Sequence, residues 1–131
     1  MPSTAQSTTG RKRFHHKTQV HAPVLFVGEE GLIKEATPAA ARLLEYPANA
    51  KLGSCFYSLV NRRNMAQVTR DLQDMVGRRK SKAEWLLRLW TGRNRWRWYK
   101  ASAYTKAPFA MPESTKETPI VAVHLRDMHA W

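Results

Sequence analysis

The feature that constrains the fold most is a pair of aromatic-rich segments in the second half of the chain. The segments "KAEWLLRLW" (82–90) and "RWRWYKASAYT" (95–105) are dense in tryptophan and tyrosine, and "TGRN" separates them. Aromatic residues favour strands, and a short linker that contains glycine favours a turn between two strands. The sequence therefore predicts a hairpin of two long antiparallel strands.

Side chains along the second of these strands point alternately to opposite faces of the sheet. One set is Arg95, Arg97 and Tyr99, and the intervening set is Trp96, Trp98 and Lys100. This alternation predicts that one face buries indoles while the other presents a basic row. The predicted interaction surface consists of Arg88, Arg95, Arg97 and Tyr99. Core packing is the alternative role of the indoles, expected for at least two of Trp85, Trp90, Trp96 and Trp98.

The N-terminal half predicts a second hairpin and a short helix. Two apolar runs, 24–27 and 32–33, flank a turn in which Gly28 and Gly31 can supply the positive φ that tight turns need. In the following "TPAAARLLEY", Thr37 can cap a helix and Pro38 fits its first turn. The short helix is predicted from Pro38 to about Tyr46.

A longer helix is predicted from Asn64 to Val76. Its apolar residues recur at helical spacing, and they are Met65, Val68, Leu72, Met75 and Val76. The polar side of this helix is predicted to carry Arg70, Asp71, Gln73 and Asp74. Gly77 and the basic run 78–80 end the helix, because cations are favourable at the negative end of the helix dipole.

The C-terminal part predicts a loop and one more strand. The segment "KAPFAMPESTKE" (106–117) contains two prolines and interrupts the strand pattern, and the last strand runs from Pro119 to about Asp127. The order is two strands, helices, then three strands. This order predicts an α+β fold, in which short helices pack on one face of a five-stranded antiparallel sheet.

A formal charge of +12 stands out in a chain of 131 residues, a length that suits one domain. Such a field attracts nucleic acid, acidic proteins or anionic membranes, and a solvated basic surface is the alternative explanation. Residues 1–21 are rich in Ser, Thr and basic side chains, which predicts a flexible basic tail. A lone cysteine, Cys55, and the lack of a long apolar run favour a cytoplasmic protein without membrane association.

Four segments of the chain carry short spaced motifs, "GLIKEATPAAARLLEY", "LGSCFYSLV", "TGRNRW" and "HLRDM". In sequence, order and spacing they resemble the motifs of PAS domains, the small sensor and interaction modules of signalling proteins. The resemblance covers residues 22–128 and leaves 129–131 as a short C-terminal end. It implies a PAS-like sheet and an Asp127 that tethers the end of the last strand. The chain is then either a lone sensor module, which the initial Met1 favours, or a fragment that ends at the junction to an output domain. Thr37, Glu45 and Thr91 depart from the family's Asn, Gly and Asp.

The resemblance also implies that a small ligand can lie between the sheet and the helices. The cavity candidates are Leu44, Phe56, Leu59, Val68, Trp85, Leu87 and Val123. The cofactor is unknown, since no motif for covalent flavin or for haem is present: Cys55 lies one position before that of the flavin-reactive cysteine, and the long helix has no histidine. His124 should face away from Val123 and is expected to be hydrogen-bonded or solvent-facing, not a metal ligand.

No paired catalytic carboxylates, phosphate-binding glycine loop or nucleophile elbow is recognisable, so we expect no enzyme activity. The resemblance implies a sensory and signal-transduction module that binds a ligand or a signalling protein and forms a homodimer through its sheet. The alternative is a basic nucleic-acid-binding regulatory protein on the same scaffold. The charge, the basic tail and the arginines interleaved with aromatic residues favour that alternative.

Overall fold

A computed structural model describes residues 21–47, 55–105 and 120–128 of the chain. Within these ranges it contains the strands β1 (Val24–Val27), β2 (Ile33–Ala36), β3 (Lys82–Trp90), β4 (Trp96–Tyr104) and β5 (Val121–Asp127). The α-helices are α1 (Pro38–Leu43) and α2 (Arg62–Val76), and single 3-10 turns lie at Glu29–Gly31 and Phe56–Ser58. The predicted tail before residue 21, the loop 106–117 and the end 129–131 lie outside the described residues.

All strand pairings are antiparallel, and the strands lie in the order β2-β1-β5-β4-β3. The predicted α+β fold with a five-stranded antiparallel sheet is therefore confirmed. The last strand, β5, lies at the centre and joins the N-terminal hairpin to the β3–β4 hairpin. Its charged C-terminal end consequently lies beside β4, where Asp127 is opposite Tyr99.

One face of the sheet, called the inner face, carries the helices and the main core. Strand alternation places Trp85, Leu87 and Leu89 of β3 on this face, and each is at most 2% exposed. They pack in one cluster with α1, α2 and the turn at Phe56–Ser58. The opposite face, called the outer face, has a small buried cluster of its own at the β1–β5 end, formed by Val24, Phe26, Ile120 and Ala122.

Helix α2 begins two residues earlier than predicted, because the Asn61 side chain accepts a hydrogen bond from the Arg63 amide and caps the helix. The predicted apolar side of the helix is confirmed, since Val68, Leu72 and Met75 are buried in the core. Asp71, however, was predicted on the polar side and is buried. It lies on the buried stripe because its position falls between those of Val68 and Met75, one turn from each.

The buried carboxylate of Asp71 has two partners. It accepts a hydrogen bond from the Trp85 indole nitrogen at 2.8 Å and pairs with Lys80 Nζ at 2.7 Å. Burial opposes its ionisation, but these two hydrogen bonds outweigh burial and lower the pKa of Asp71. Lys80 therefore has a second role besides its favourable interaction with the helix dipole. It pairs with the Asp71 carboxylate, and that carboxylate holds the Trp85 ring through its hydrogen bond.

Helix α1 begins as predicted but ends three residues early, at Leu43. Thr37 caps it, since its Oγ1 accepts hydrogen bonds from the Ala40 amide at 3.2 Å and the Val24 amide at 3.0 Å. The helix ends because Glu45 adopts a left-handed conformation with φ of 68°. In the turn before β2, the left-handed residues are Glu30 and Gly31, whereas Gly28 has negative φ.

Candidate interaction face and the ion-pair network behind it

The most exposed aromatic residues in the described part of the chain, Trp96 and Trp98, lie on the outer face of the β3–β4 hairpin. The strand register places them and their neighbours in three successive cross-strand rows. The rows are Trp90 with Trp96, then Arg88 with Trp98, then Leu86 with Lys100 and, on β5, Arg126. These seven residues are called the indole patch below. The next row along the face contains Glu84, Ser102 and His124.

Three apolar side chains of the indole patch remain open to solvent. Trp96 and Trp98 are each 42% exposed, and Leu86 is 55% exposed. Trp90 packs edge-on against Trp96 with 5.1 Å between ring centroids, and the Arg88 guanidinium lies 5.0 Å from the centroid of the Trp98 ring. The two tryptophans of β4 are thus held by neighbours on β3 and yet present ring surface outward.

The predicted assignment of the two faces of β4 is wrong. Tyr99 is fully buried on the inner face, and Arg97 lies beneath the helical layer, whereas Trp96 and Trp98 point outward. The reason is visible further along β4, where Ala101 and Ala103 continue the Tyr99 side and give the helices room to pack. The prediction rested on residues 95–100, and the alternation extended to residue 103 favours the correct face.

Of the four residues of the predicted interaction surface, only Arg88 belongs to the outer face. Tyr99 donates a hydrogen bond to the Leu43 carbonyl at 2.7 Å, and burial raises the pKa of Tyr99 to about 12. Arg95 and Arg97 are held by carboxylates at the inner rim of the sheet. These three residues serve the connection between the sheet and α1, and Arg95 alone among them keeps a half-exposed side chain.

Glu45 is the centre of the inner ion-pair network. Its Oε1 accepts hydrogen bonds from the Thr91 hydroxyl at 2.6 Å and from Arg95 Nε at 3.0 Å. Its Oε2 accepts from Arg97 Nη1 at 2.6 Å and also pairs with Arg95. The hydrogen bonds from Arg95, with help from Thr91 and Arg97, overcome the cost of burial and lower the pKa of Glu45 to about 2.

Arg97 extends the network to the end of the central strand. Its Nη2 donates to both carboxylate oxygens of Asp127, at 2.9 and 3.1 Å. The side chain of Arg97 is only 11% exposed, so it bridges two carboxylates largely out of water. The geometry thus links the end of α1, through Glu45 and Arg97, to the C-terminal end of β5.

The backbone at Glu45 is fixed by a close approach from the β3–β4 turn. The Gly92 amide donates to the Leu44 carbonyl at 2.9 Å, and a Cβ at Gly92 would lie 2.5 Å from the Glu45 carbonyl oxygen. Only glycine allows this approach without a backbone shift. The left-handed Glu45 is therefore held by its side-chain partners and by the adjoining turn.

The predicted cavity residues share one location in the inner core. The seven residues Leu44, Phe56, Leu59, Val68, Trp85, Leu87 and Val123 are each at most 4% exposed and belong to a single cluster. Within it, the rings of Phe56 and Trp85 lie 6.4 Å apart. Their role in binding a small molecule stays a prediction.

Comparison with known proteins identifies the fold. No family model and no curated protein matches the sequence. The PAS domain of a protein from Colwellia psychrerythraea superimposes with a TM-score of 0.65 at 13% identity, covering 86% of this chain and 91% of that chain. The PAS-B domain of Drosophila melanogaster Cycle with bound ethylene glycol gives 0.62 at 16% identity, covering 81% and 99%. The chain has a PAS fold.

A PAS domain from a two-component sensor histidine kinase is also similar, with a TM-score of 0.58, 16% identity and coverage of 82% and 85%.

Two residues that depart from the PAS sequence pattern contact each other in the structure. Glu45 stands at the usual Gly and Thr91 at the usual Asp, and the Thr91 hydroxyl donates to the Glu45 carboxylate. A polar residue at each of these two positions could have predicted the ion-pair network, but the prediction from sequence did not connect them.

The remaining candidate residues, His124 and Cys55, belong to neither the indole patch nor the ion-pair network. His124 lies on the outer face as predicted, and burial together with the charge of Arg126 lowers the pKa of its imidazole. Cys55 is partly exposed and pairs with Leu32 in an isolated bridge. In the described part of the chain, no cluster of three metal-ligating side chains and no helix able to cross a membrane is found.

Proposed function

We propose that the protein is a non-enzymatic sensory module that signals through protein contact on the indole patch, a second copy of the chain being the first such partner. The observation that carries this proposal is the exposure of Trp96, Trp98 and Leu86 in one patch of the sheet. Contiguous exposed apolar side chains of this size mark interaction sites, because a monomer gains nothing from presenting them to water.

The input side of the proposed module is the inner core. A small molecule held among Phe56, Trp85 and their neighbours would displace side chains that pack against α1 and α2. The network of Glu45, Arg97 and Asp127 supports a route for such a displacement, since it ties the end of α1 to the end of β5. A shift at either end changes the position of β4, which carries the indoles of the patch.

Sedimentation equilibrium tests the protein-contact part of the proposal. The wild-type chain should approach the mass of a dimer at tens of micromolar, and Leu86→Ser and Trp98→Ala should move the equilibrium toward monomer by about tenfold or more, since indoles dominate interface energies. Leu32→Ser is the matched control, because Leu32 is 42% exposed on a different part of the surface. A wild-type chain that stays monomeric, or variants that pair as well as wild type, contradicts pairing through the patch.

A native mass measurement on freshly purified protein tests the ligand part. The expected result is a population carrying the added mass of a small molecule, which is lost in Phe56→Ala while the fold is retained by circular dichroism. If the protein has the mass of the bare chain, both as purified and after addition of small molecules extracted from cells, a ligand in the inner core is contradicted.

A further inference from the structure

We propose that the indole patch also binds single-stranded nucleic acid, with bases stacked on Trp96 and Trp98 and phosphates held by Arg88, Lys100 and Arg126. The inference rests on the proposed function in that it uses the same face of the sheet. It adds an occupant that the PAS fold by itself does not suggest, and it follows from how ring surface and positive charge alternate on this face.

The stacking surface consists of two indoles on one strand. Trp96 and Trp98 are two residues apart on β4, so they point the same way and their Cα atoms lie about 6.6 Å apart. Each is 42% exposed although it touches an aromatic or guanidinium neighbour. Any base can stack on such a ring because every base has a π-face. The planar guanidinium of Arg88 beside Trp98 offers a further stacking surface.

The charge of the patch is positive and is not balanced within it. Arg88, Lys100 and Arg126 surround the indoles, and none of the salt bridges in the described part of the chain involves them. Among the described residues of the β3–β4–β5 part of this face, the nearest carboxylate is that of Glu84, one row beyond Leu86. The carboxylates of Glu45 and Asp127 lie behind the sheet and are taken up by Arg95 and Arg97. The net charge of +12 adds to the attraction for phosphates.

The shape of the patch favours a single strand over a duplex. A sheet face presents rings side by side, and only unpaired bases can turn their π-faces toward such a surface. Duplex bases are hidden in the stack, and among the residues that the structure describes no helix or ribbon projects from this face to enter a groove. The patch would therefore distinguish the two forms of nucleic acid.

A second copy of the chain and a nucleic-acid strand would use the same side chains. Two sheets packed face to face lie about 10 Å apart, beyond the screening length of about 8 Å at physiological salt, so the repulsion between the three cations of each copy is largely screened. Pairing of two copies and a bound strand would both cover the rings of Trp96 and Trp98. Strand binding and pairing of two copies should therefore exclude each other.

The test is the fluorescence anisotropy of a labelled oligo(dT) of about 12 nucleotides, titrated with the full chain at about 50 mM salt. We expect binding that weakens about 100-fold for a tenfold rise in salt, as three phosphate contacts on a single strand predict. Trp98→Ala should weaken binding by about tenfold, and Trp98→Phe should restore most of it, because a phenyl ring still stacks. Leu32→Ser is the control and should bind like wild type.

Three results would overturn the inference. The first is no binding at low salt. The second is equal binding by Trp98→Ala and Trp98→Phe, and the third is equally tight binding of a duplex of the same length. The second and third results would indicate attraction by charge alone, including the charge of residues 1–21. Sedimentation of the same samples separates the two proposals. If oligo(dT) fails to bind but pairing depends on Leu86, the proposed function stands without this inference. If both fail, the patch has neither role.

Discussion

Two arginines on neighbouring strands of the same hairpin have opposite environments. Arg97 on the inner face is 11% exposed and bridges the carboxylates of Glu45 and Asp127. Arg88 on the outer face lies over the ring of Trp98 and forms no salt bridge among the described residues. The hairpin thus commits its inner cation to holding the fold and leaves its outer cation available for a partner.

The tryptophans divide in the same way. Trp85 is 2% exposed, and its indole N–H is hydrogen-bonded to Asp71, so both the ring and the polar atom are satisfied within the chain. Trp98 is 42% exposed on the other face of the same hairpin. Trp85 therefore stabilises the core, whereas Trp98 is available for contact with a partner. Mutations of the two residues can separate these roles.

The largest contrast is expected between truncations of these two tryptophans. Trp85→Ala should lower the free energy of unfolding by about 4 kcal/mol, because it leaves a cavity in the core and removes a partner of buried Asp71. Trp98→Ala should lower it by less than about 1 kcal/mol. Urea unfolding followed by far-UV circular dichroism measures both. A Trp98→Ala loss as large as that of Trp85→Ala would mean that the indole patch belongs to the core.

The two arginines should differ by a smaller amount. Arg97→Met leaves two carboxylates without their bridging cation, and we expect a loss of about 3 kcal/mol in the free energy of unfolding. Arg88→Met keeps the aliphatic contact with Trp98 and should cost less than about 1 kcal/mol. Hydrogen exchange of the β5 amides provides a second measurement. Faster exchange near Asp127 in Arg97→Met alone supports the tether, and equal exchange in the two variants contradicts it.

The fold could be predicted from the sequence because its signals are local and repeated. The helical spacing of Val68, Leu72 and Met75 and the glycine between two aromatic runs each fix an element without distant information. The network around Glu45 could not be found this way, since Glu45 and Arg97 are 52 residues apart and only the folded sheet brings them together. The orientation of β4 lies between these cases, because Ala101 and Ala103 held the necessary signal within the strand.

Acid should weaken the inner network but not the outer patch. The pKa of Glu45 is about 2 in the folded protein and near the ordinary glutamate value of 4.5 when the chain is unfolded, so the unfolded state binds more protons between these values. The stabilisation from Glu45 is therefore complete above pH 4.5 and is lost as pH falls toward 2. With allowance for the half-exposed Arg95, the expected loss is about 2 kcal/mol.

Urea midpoints measured from about pH 6 down to about pH 3 test this pH dependence. In Glu45→Gln the slope should fall, and what remains should come from groups such as Asp71, whose pKa is also lowered. A Glu45→Gln variant with the full wild-type slope would show that the carboxylate is not the titrating group. The Arg88→Met variant is the control for the outer face and should retain the slope of wild type.

The smallest effect is the coupling between Arg88 and Trp98 themselves. A double-mutant cycle with Arg88→Met and Trp98→Ala should give about 0.5 kcal/mol, as for an exposed cation–π pair. The corresponding cycle with Arg97→Met and Asp127→Asn should give several times more, because Arg97 is only 11% exposed and donates to both oxygens of the carboxylate. A weak outer coupling means that the guanidinium can leave the ring for a phosphate or a carboxylate at little cost. A coupling as strong as the inner one would mean that Arg88 is already committed to Trp98, and the indole patch would then have to bind its partner through Lys100 and Arg126 alone.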